Sequence, residues 1–309
     1  MRNYRSVVGL ALIALGVTSL AGGVWGAQPK LPVVVSIKTS DGRGADALVD
    51  TWNLDANLGA APAAGVKQLN GGRKLYLRFD LASVKDPIKG AVLDLPVVSG
   101  SKGYLTYNVF GVIDGDADNW TEGTGGAAAA APAAPAKGKG KGKSTAATPT
   151  AAPPAASVSG TAAPAKPADG ITAATAPAVD TKSGGGKYDP DKKTGGGVDN
   201  SKTVFLGTFC VNNENYSLSK RKASIYFGAQ ELVDFLGKDT NKLVTLIITR
   251  VEADRGSWTD FGTKEGGNPA ILKVSSEPMP FPAQPVPPGT PAKPAATGTP
   301  AAATATATN

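Results

Sequence analysis

The chain of 309 residues contains no histidine. That excludes Ser-His-Asp and Cys-His catalysis, histidine-ligated zinc and imidazole acid–base chemistry. Any catalytic machinery would have to be assembled from carboxylates, Lys, Tyr or Arg. There is a single cysteine, Cys210, so no internal disulfide can form. The chain is therefore not a small cysteine-stapled fold and needs an ordinary apolar core. Cys210 itself reads as a small apolar residue on a strand, with a reactive thiol as the alternative. Aromatic residues are few, and one long stretch has none: Gly123 to Gly186 contains no aromatic side chain, no Leu and no Met. Ala, Pro, Gly, Thr and Lys fill it, with Lys-Gly alternating at Lys137, Lys139, Lys141 and Lys143. Such a segment cannot bury enough surface to offset its ordering entropy.

Long apolar runs are also scarce. Val7 to Leu20 is one, preceded by Arg2 and Arg5 and followed by Val24-Trp25-Gly26. A basic start, a short apolar run and a small-residue site describe a cleaved secretory signal over residues 1–26. No later segment is apolar enough to span a bilayer, so an exported protein without a stable membrane span is expected. The formal charge of +7 lies mostly outside the parts that can fold. The signal holds two Arg, and Gly123 to Ser201 holds nine Lys against five Asp. The remainder is nearly neutral, and no nucleic-acid partner is expected.

What is present is strand pattern. Arg73-Lys74-Leu75-Tyr76-Leu77-Arg78-Phe79-Asp80-Leu81 alternates without a break. Leu75, Leu77, Phe79 and Leu81 fall on one face, and Lys74, Tyr76, Arg78 and Asp80 on the other. Further strands are predicted at Val33–Ile37, Ala45–Asp50, Ile88–Val98, Tyr104–Ile113, Thr203–Val211, Lys222–Phe227, Leu243–Thr249 and Pro269–Val274. Leu243–Thr249 is apolar and β-branched enough to be a buried strand. Pro96 marks an edge or a bulge. Gln230–Leu236 places Leu232, Val233 and Leu236 at helical spacing, with Gly237 as the cap. Asn53–Gly65 and Trp258–Asn268 read as loops. The fold class is all-β: an antiparallel, jelly-roll-like β-sandwich with one short helix. Residues 27–122 and 203–275 form one interrupted domain, because neither block alone is large enough for a sandwich. The insertion 123–202 and the Pro/Ala/Thr-rich tail 276–309 are predicted to be disordered. A short Gly/Ser linker should then replace most of the insertion with little effect on folding.

An ordered series of motifs resembles the DNRLRE, or disaggregatase-related, domain of the carbohydrate-binding module family 96 type. Ala45-Asp46-Ala47 and Asn57-Leu58-Gly59 come first, then Leu75-Tyr76-Leu77-Arg78-Phe79-Asp80-Leu81 and Ile88-Lys89-Gly90-Ala91-Val92-Leu93. Trp120-Thr121-Glu122-Gly123, Glu231–Gly237, Phe261-Gly262-Thr263-Lys264-Glu265 and Pro269–Val274 complete it. The insertion stands where the family usually continues into a second Thr-Trp-Asn stretch. The resemblance implies an exported, noncatalytic β-sandwich that binds polysaccharide.

Two candidate sites follow. Lys74, Tyr76 and Arg78 present an aromatic ring between cations, which suits a sugar and, through Arg, the carboxylates of an acidic, uronate-containing polymer. Arg73, Lys220, Arg221 and Lys222 would extend this surface. The alternative is a solvated sheet face ion-paired to Asp80. Asp114, Asp116, Asp118 and Glu122 offer alternating carboxylates on a loop, a hard-cation pattern for which calcium is the natural occupant. It departs from the EF-hand, since Asn119 and Gly125 stand where Gly and Glu are required. For catalysis only Asp80, Asp94, Asp116, Glu122, Glu214 and Glu265 could supply a carboxylate pair, and nothing in the sequence fixes their separation. The expected function is noncatalytic binding of an extracellular or cell-surface polysaccharide. The alternative is a structural or assembly protein of the envelope or matrix.

Overall fold

The computed structural model describes residues 33–68, 72–113, 115–124, 170–212, 223–252 and 257–283. The signal segment, Lys220, Arg221, Lys222, Glu214 and Asp114 lie outside the described residues.

The alternating segments form the two sheets of an antiparallel sandwich. Sheet A is built from β1 (Val34–Lys38), β3 (Ala63–Val66), β5 (Gly90–Gly100), β10 (Ala223–Phe227), β12 (Thr259–Gly262) and β13 (Ile271–Ser275). Its order is β1-β13-β5-β12-β3, and β10 pairs with the other edge of β5. Sheet B has the order β2-β4-β11-β6-β9, with β2 (Ala45–Asp50), β4 (Arg73–Asp80), β6 (Tyr104–Val112), β9 (Thr203–Asn212) and β11 (Leu243–Arg250). β6 pairs with β9 over nine residues, so the two sequence blocks share one sheet and the interrupted domain is a single sandwich. β3 and β12 arise inside segments that read as loops, and pair with each other. Their Gly and Ala content hides the alternation from composition alone. Pro96 sits where one edge of β5 changes partner, between Asp94 opposite β13 and Val97 opposite β12. On that edge Pro96 has no strand partner, and on the other it stands opposite Ser224 of β10.

The core lies between the sheets. Leu75, Leu77 and Phe79 of β4 meet Leu93, Leu95 and Val97 of β5, with Val244, Leu246 and Ile248 of β11 beside them. The one α-helix among the described residues, α1 (Gln230–Gly237), buries Leu232, Val233 and Leu236 in this core. Gly237 is its last helical residue, and Lys238, in the right-handed helical region, caps it in place of the expected Gly. This helix is far too short to cross a membrane, and no described helix can. Cys210 is free and buried, and burial pushes its thiol up to about 11, which makes it a poor nucleophile at neutral pH.

The largest difference from expectation is a third layer. Residues 170–202, predicted as disordered insertion, pack as turns over the outer face of sheet B. They include the short pair β7 (Tyr188–Asp189) and β8 (Thr194–Gly195). Ile171, Ala173, Ala176, Ala178 and Val198 are buried there against Ala47, Tyr76, Phe110 and Ile247. Tyr188 stacks on Phe205 at 4.4 Å between ring centres and meets Phe110 edge-on at 5.5 Å. Backbone bonds close the seam, Ile171 N–H to Thr121 O and Gly186 N–H to Arg250 O, both at 2.7 Å, and Asp199 N–H to Ala178 O at 2.9 Å ties the layer to itself. The predicted tail likewise starts late, since Met279 lies beside Gly90 and Phe281 beside Gly228.

Glycines that read as linker are points of close approach. A Cβ on Gly184 would stand 2.3 Å from the Gly72 Cα, and one on Gly185 would stand 2.1 Å from the Arg250 carbonyl oxygen. Gly184→Ala should therefore destabilise the fold by about 1–3 kcal/mol, as overpacking does. Gly237→Ala, with open space around it, should be neutral or stabilising by a few tenths to 1 kcal/mol. Denaturant titration of both variants checks the opposite signs.

Candidate functional site

The register of sheet B decides the fate of the expected glycan face. Ala47, Tyr76, Ile247, Phe110 and Phe205 lie opposite one another in turn across β2, β4, β11, β6 and β9. All belong to the second apolar cluster or pack against it. Lys74 and Tyr76 are completely buried. Lys74 Nζ donates to the backbone oxygens of Asp180 and Ser183 at 3.0 and 2.5 Å, and Tyr76 O–H donates to Pro177 O at 2.9 Å. Arg78 donates to the carbonyls of Arg43, Asp118 and Trp120, and its guanidinium lies 4.8 Å from the Trp120 ring centre. Asp80, expected to pair with these cations, is held by Arg43. Arg73 pairs with Asp50 at 2.9 Å. Lys74 and Tyr76 therefore clamp the overlying chain by its carbonyls and offer no surface to a sugar, while Arg78, part-buried, is committed to the β1–β2 turn and the segment after β6. The expectation that the insertion can be replaced fails for its last part, because residues 170–202 accept from Lys74 and Tyr76; residues 125–169 lie outside the described residues.

Burial pushes the Lys74 ammonium down to about 7, against the attraction of Asp180 and Asp50. The unfolded chain keeps that proton up to the ordinary value near 10.5. Between the two the unfolded state binds more protons, so stability rises with pH across this window. The gain should approach ~1.4 kcal/mol per pH unit above neutrality, relative to Lys74→Met, which lacks the group. Denaturant titrations of both proteins from pH 7 to 9.5 check the sign; parallel curves would contradict it.

The outer face of sheet A is where exposed aromatic and polar groups meet. Tyr226 of β10 is 43% exposed and stands opposite Asp94 of β5. Lys273 of β13 binds Asp94 at 2.9 Å and lies 5.1 Å from the Tyr226 ring centre. Further along, Trp258 is 41% exposed and donates through Nε1 to Asp260 at 3.0 Å, and Ser99 donates to the same carboxylate. Asp94 and Ser99 are five residues apart on β5, so the two groups lie about 17 Å apart along the strand. The sequence reading missed this pairing because Tyr226 sits in a short strand and Trp258 just before another, and their neighbours across the sheet are distant in sequence.

Of the carboxylates expected to bind a cation, Asp114 and the Asp116 side chain lie outside the described residues, and Asp118 and Glu122 take different partners. Asp118 is buried, and its carbonyl serves Arg78. Glu122 instead joins Asp46 and Glu265, one oxygen of each lying within 4.8 Å of the others. Glu122 also pairs with Lys264. Burial raises the proton affinity of all three acids and pushes Asp46 up to about 6. Glu122 and Glu265 appeared among the possible carboxylate pairs of the sequence, and Asp46 did not. Asp94 is ion-paired on sheet A and Asp80 on sheet B, far apart in the strand order.

Compared with known families and curated proteins, the chain matches no family model and no curated sequence.

Proposed function

We propose that this protein is an exported, noncatalytic β-sandwich that binds an extended extracellular polysaccharide along the outer face of sheet A. The observation that carries this reading is the pair of exposed rings, Tyr226 and Trp258, at the two ends of one open strand face, each beside a carboxylate. Rings so placed stack on the apolar faces of sugars, while Asp94, Asp260 and Ser99 accept or exchange hydrogen bonds with hydroxyl groups. A span of about 17 Å suits several consecutive sugars and not a single one. The resemblance to DNRLRE-type modules supports the same function. It is the polymer's charge that the reading changes. Lys74 is buried, Arg78 is only part-buried but is held by three backbone carbonyls, and Lys273 is already neutralised by Asp94, so these three cations are taken away from a uronate. A neutral polysaccharide is the better fit.

Affinity electrophoresis of the full chain in gels containing neutral β-glucan, galactomannan or alginate tests this. Retardation should be strongest in a neutral polymer. Tyr226→Ala and Trp258→Ala should each weaken it about tenfold, ~1.4 kcal/mol. Trp52→Ala, which removes an exposed ring beyond the end of β2 in sheet B, should leave it unchanged. Equal mobility with and without every polymer would contradict the function. Retardation by alginate alone would contradict the choice of face.

A further inference from the structure

The cluster of Asp46, Glu122 and Glu265 is assembled from three distant parts of the chain: β2, the segment after β6, and the β12–β13 turn. Its geometry is more constrained than that of a chance acidic patch. Asp46 is fully buried. Its Oδ2 is oriented by the Thr39 hydroxyl at 2.6 Å and by the Lys264 amide at 3.1 Å. Its Oδ1 is buried and has no hydrogen-bond partner. Glu122 repeats the arrangement, with Oε2 on Lys264 Nζ and Oε1 buried without a partner. Glu265 reaches in from the surface, its nearest oxygen 4.0 Å from the same Lys264 nitrogen.

A buried anionic oxygen without a donor is costly, and three carboxylates against the Lys264 ammonium and the more distant Arg78 guanidinium leave an excess of negative charge. Other groups hold the second oxygens of Asp46 and Glu122 in place, as outer-sphere bonds orient metal ligands. The donors on offer are all hard oxygens, with no imidazole or thiolate, which selects calcium over transition metals. We propose that Asp46, Glu122 and Glu265 bind a calcium ion.

The position gives the ion a structural task. Glu122 lies where the chain leaves the sandwich, and Gly170, where it returns, approaches the Glu122 carbonyl and Gly123 closely. Ile171 N–H is bonded to Thr121 O. Calcium bound here would tie the root of the third layer to β2 and to the β12–β13 turn, so the layer's anchoring would depend on calcium. This site differs from the Asp114–Asp118 loop and is independent of the polysaccharide reading.

Calorimetric titration of the chelator-stripped full chain with calcium chloride at pH 7.5 tests the proposal, together with the thermal midpoint. The expected result is one ion per chain, bound in the range of extracellular calcium modules, about 10⁻⁴ to 10⁻³ M, with a raised midpoint. Magnesium should bind more weakly. Glu265→Gln, at the surface end of the cluster, should fold and weaken binding at least tenfold. Asp46→Asn should do the same, and if it does not fold, Glu122→Gln replaces it. Glu231→Gln, on the exposed side of α1, should bind as the parent does. No saturable binding, or binding that survives both Glu265→Gln and Glu122→Gln, would overturn the proposal.

Discussion

Sheet B is apolar on both faces, and the rest of the molecule is arranged to cover it twice. β11 shows the constraint most plainly, since every residue from Leu243 to Arg250 is buried. A strand in a two-layer antiparallel sandwich normally keeps one wet face. Here Leu246 and Ile248 point into the main core, while Thr245, Ile247 and Thr249 point outward beneath other chain. Sheet A covers the inner face. Residues 170–202, joined through Tyr76, Phe110 and Tyr188, cover the outer one. Once that layer is in place, Lys74 and Tyr76 must find acceptors, and the carbonyls of Asp180, Ser183 and Pro177 supply them. The arrangement is mutual: the buried donors hold the layer, and the layer is what buries them.

Much of the fold was legible in the sequence because alternation is a strong signal. The period-2 pattern of residues 73–81 placed β4, and Leu232, Val233 and Leu236 placed α1 against the core. The single interrupted domain was also legible, because neither block alone had enough strands. The third layer was not. Its composition is Gly, Ala, Pro and Thr, which reads as disorder when judged by average hydrophobicity. A cover made of turns needs few large side chains if the surface beneath provides them, and Gly184 and Gly185 allow the backbone to approach that surface. Two signals did point to it. Tyr188 stands alone among small residues, and the both-sided burial inferred for β11 demanded something on its outer face.

The candidate site failed in the sequence for the same reason. Lys74, Tyr76 and Arg78 were placed correctly on the outward face of β4, and what covers that face was misjudged. The carboxylate cluster was hidden differently. Asp46, Glu122 and Glu265 are 76 and 143 residues apart in sequence order, and no local spacing reveals that the topology brings them together. Thr39 and Lys264, which fix the Asp46 carboxylate, are likewise far from Glu122 in sequence. Sheet A's outer face carries the exposed rings of Tyr226 and Trp258.

Amide hydrogen exchange on the full chain tests the third layer most directly. The N–H groups of Ile171, Ala176, Gly186 and Asp199 are all bonded to backbone carbonyls. If residues 170–202 are an integral layer, these amides should exchange at least about a hundredfold more slowly than an unstructured peptide, approaching the protection of β4 and β11. Exchange of all four at the unstructured rate, with β4 and β11 still protected, would mean that the outer face of sheet B is open and that the account is wrong.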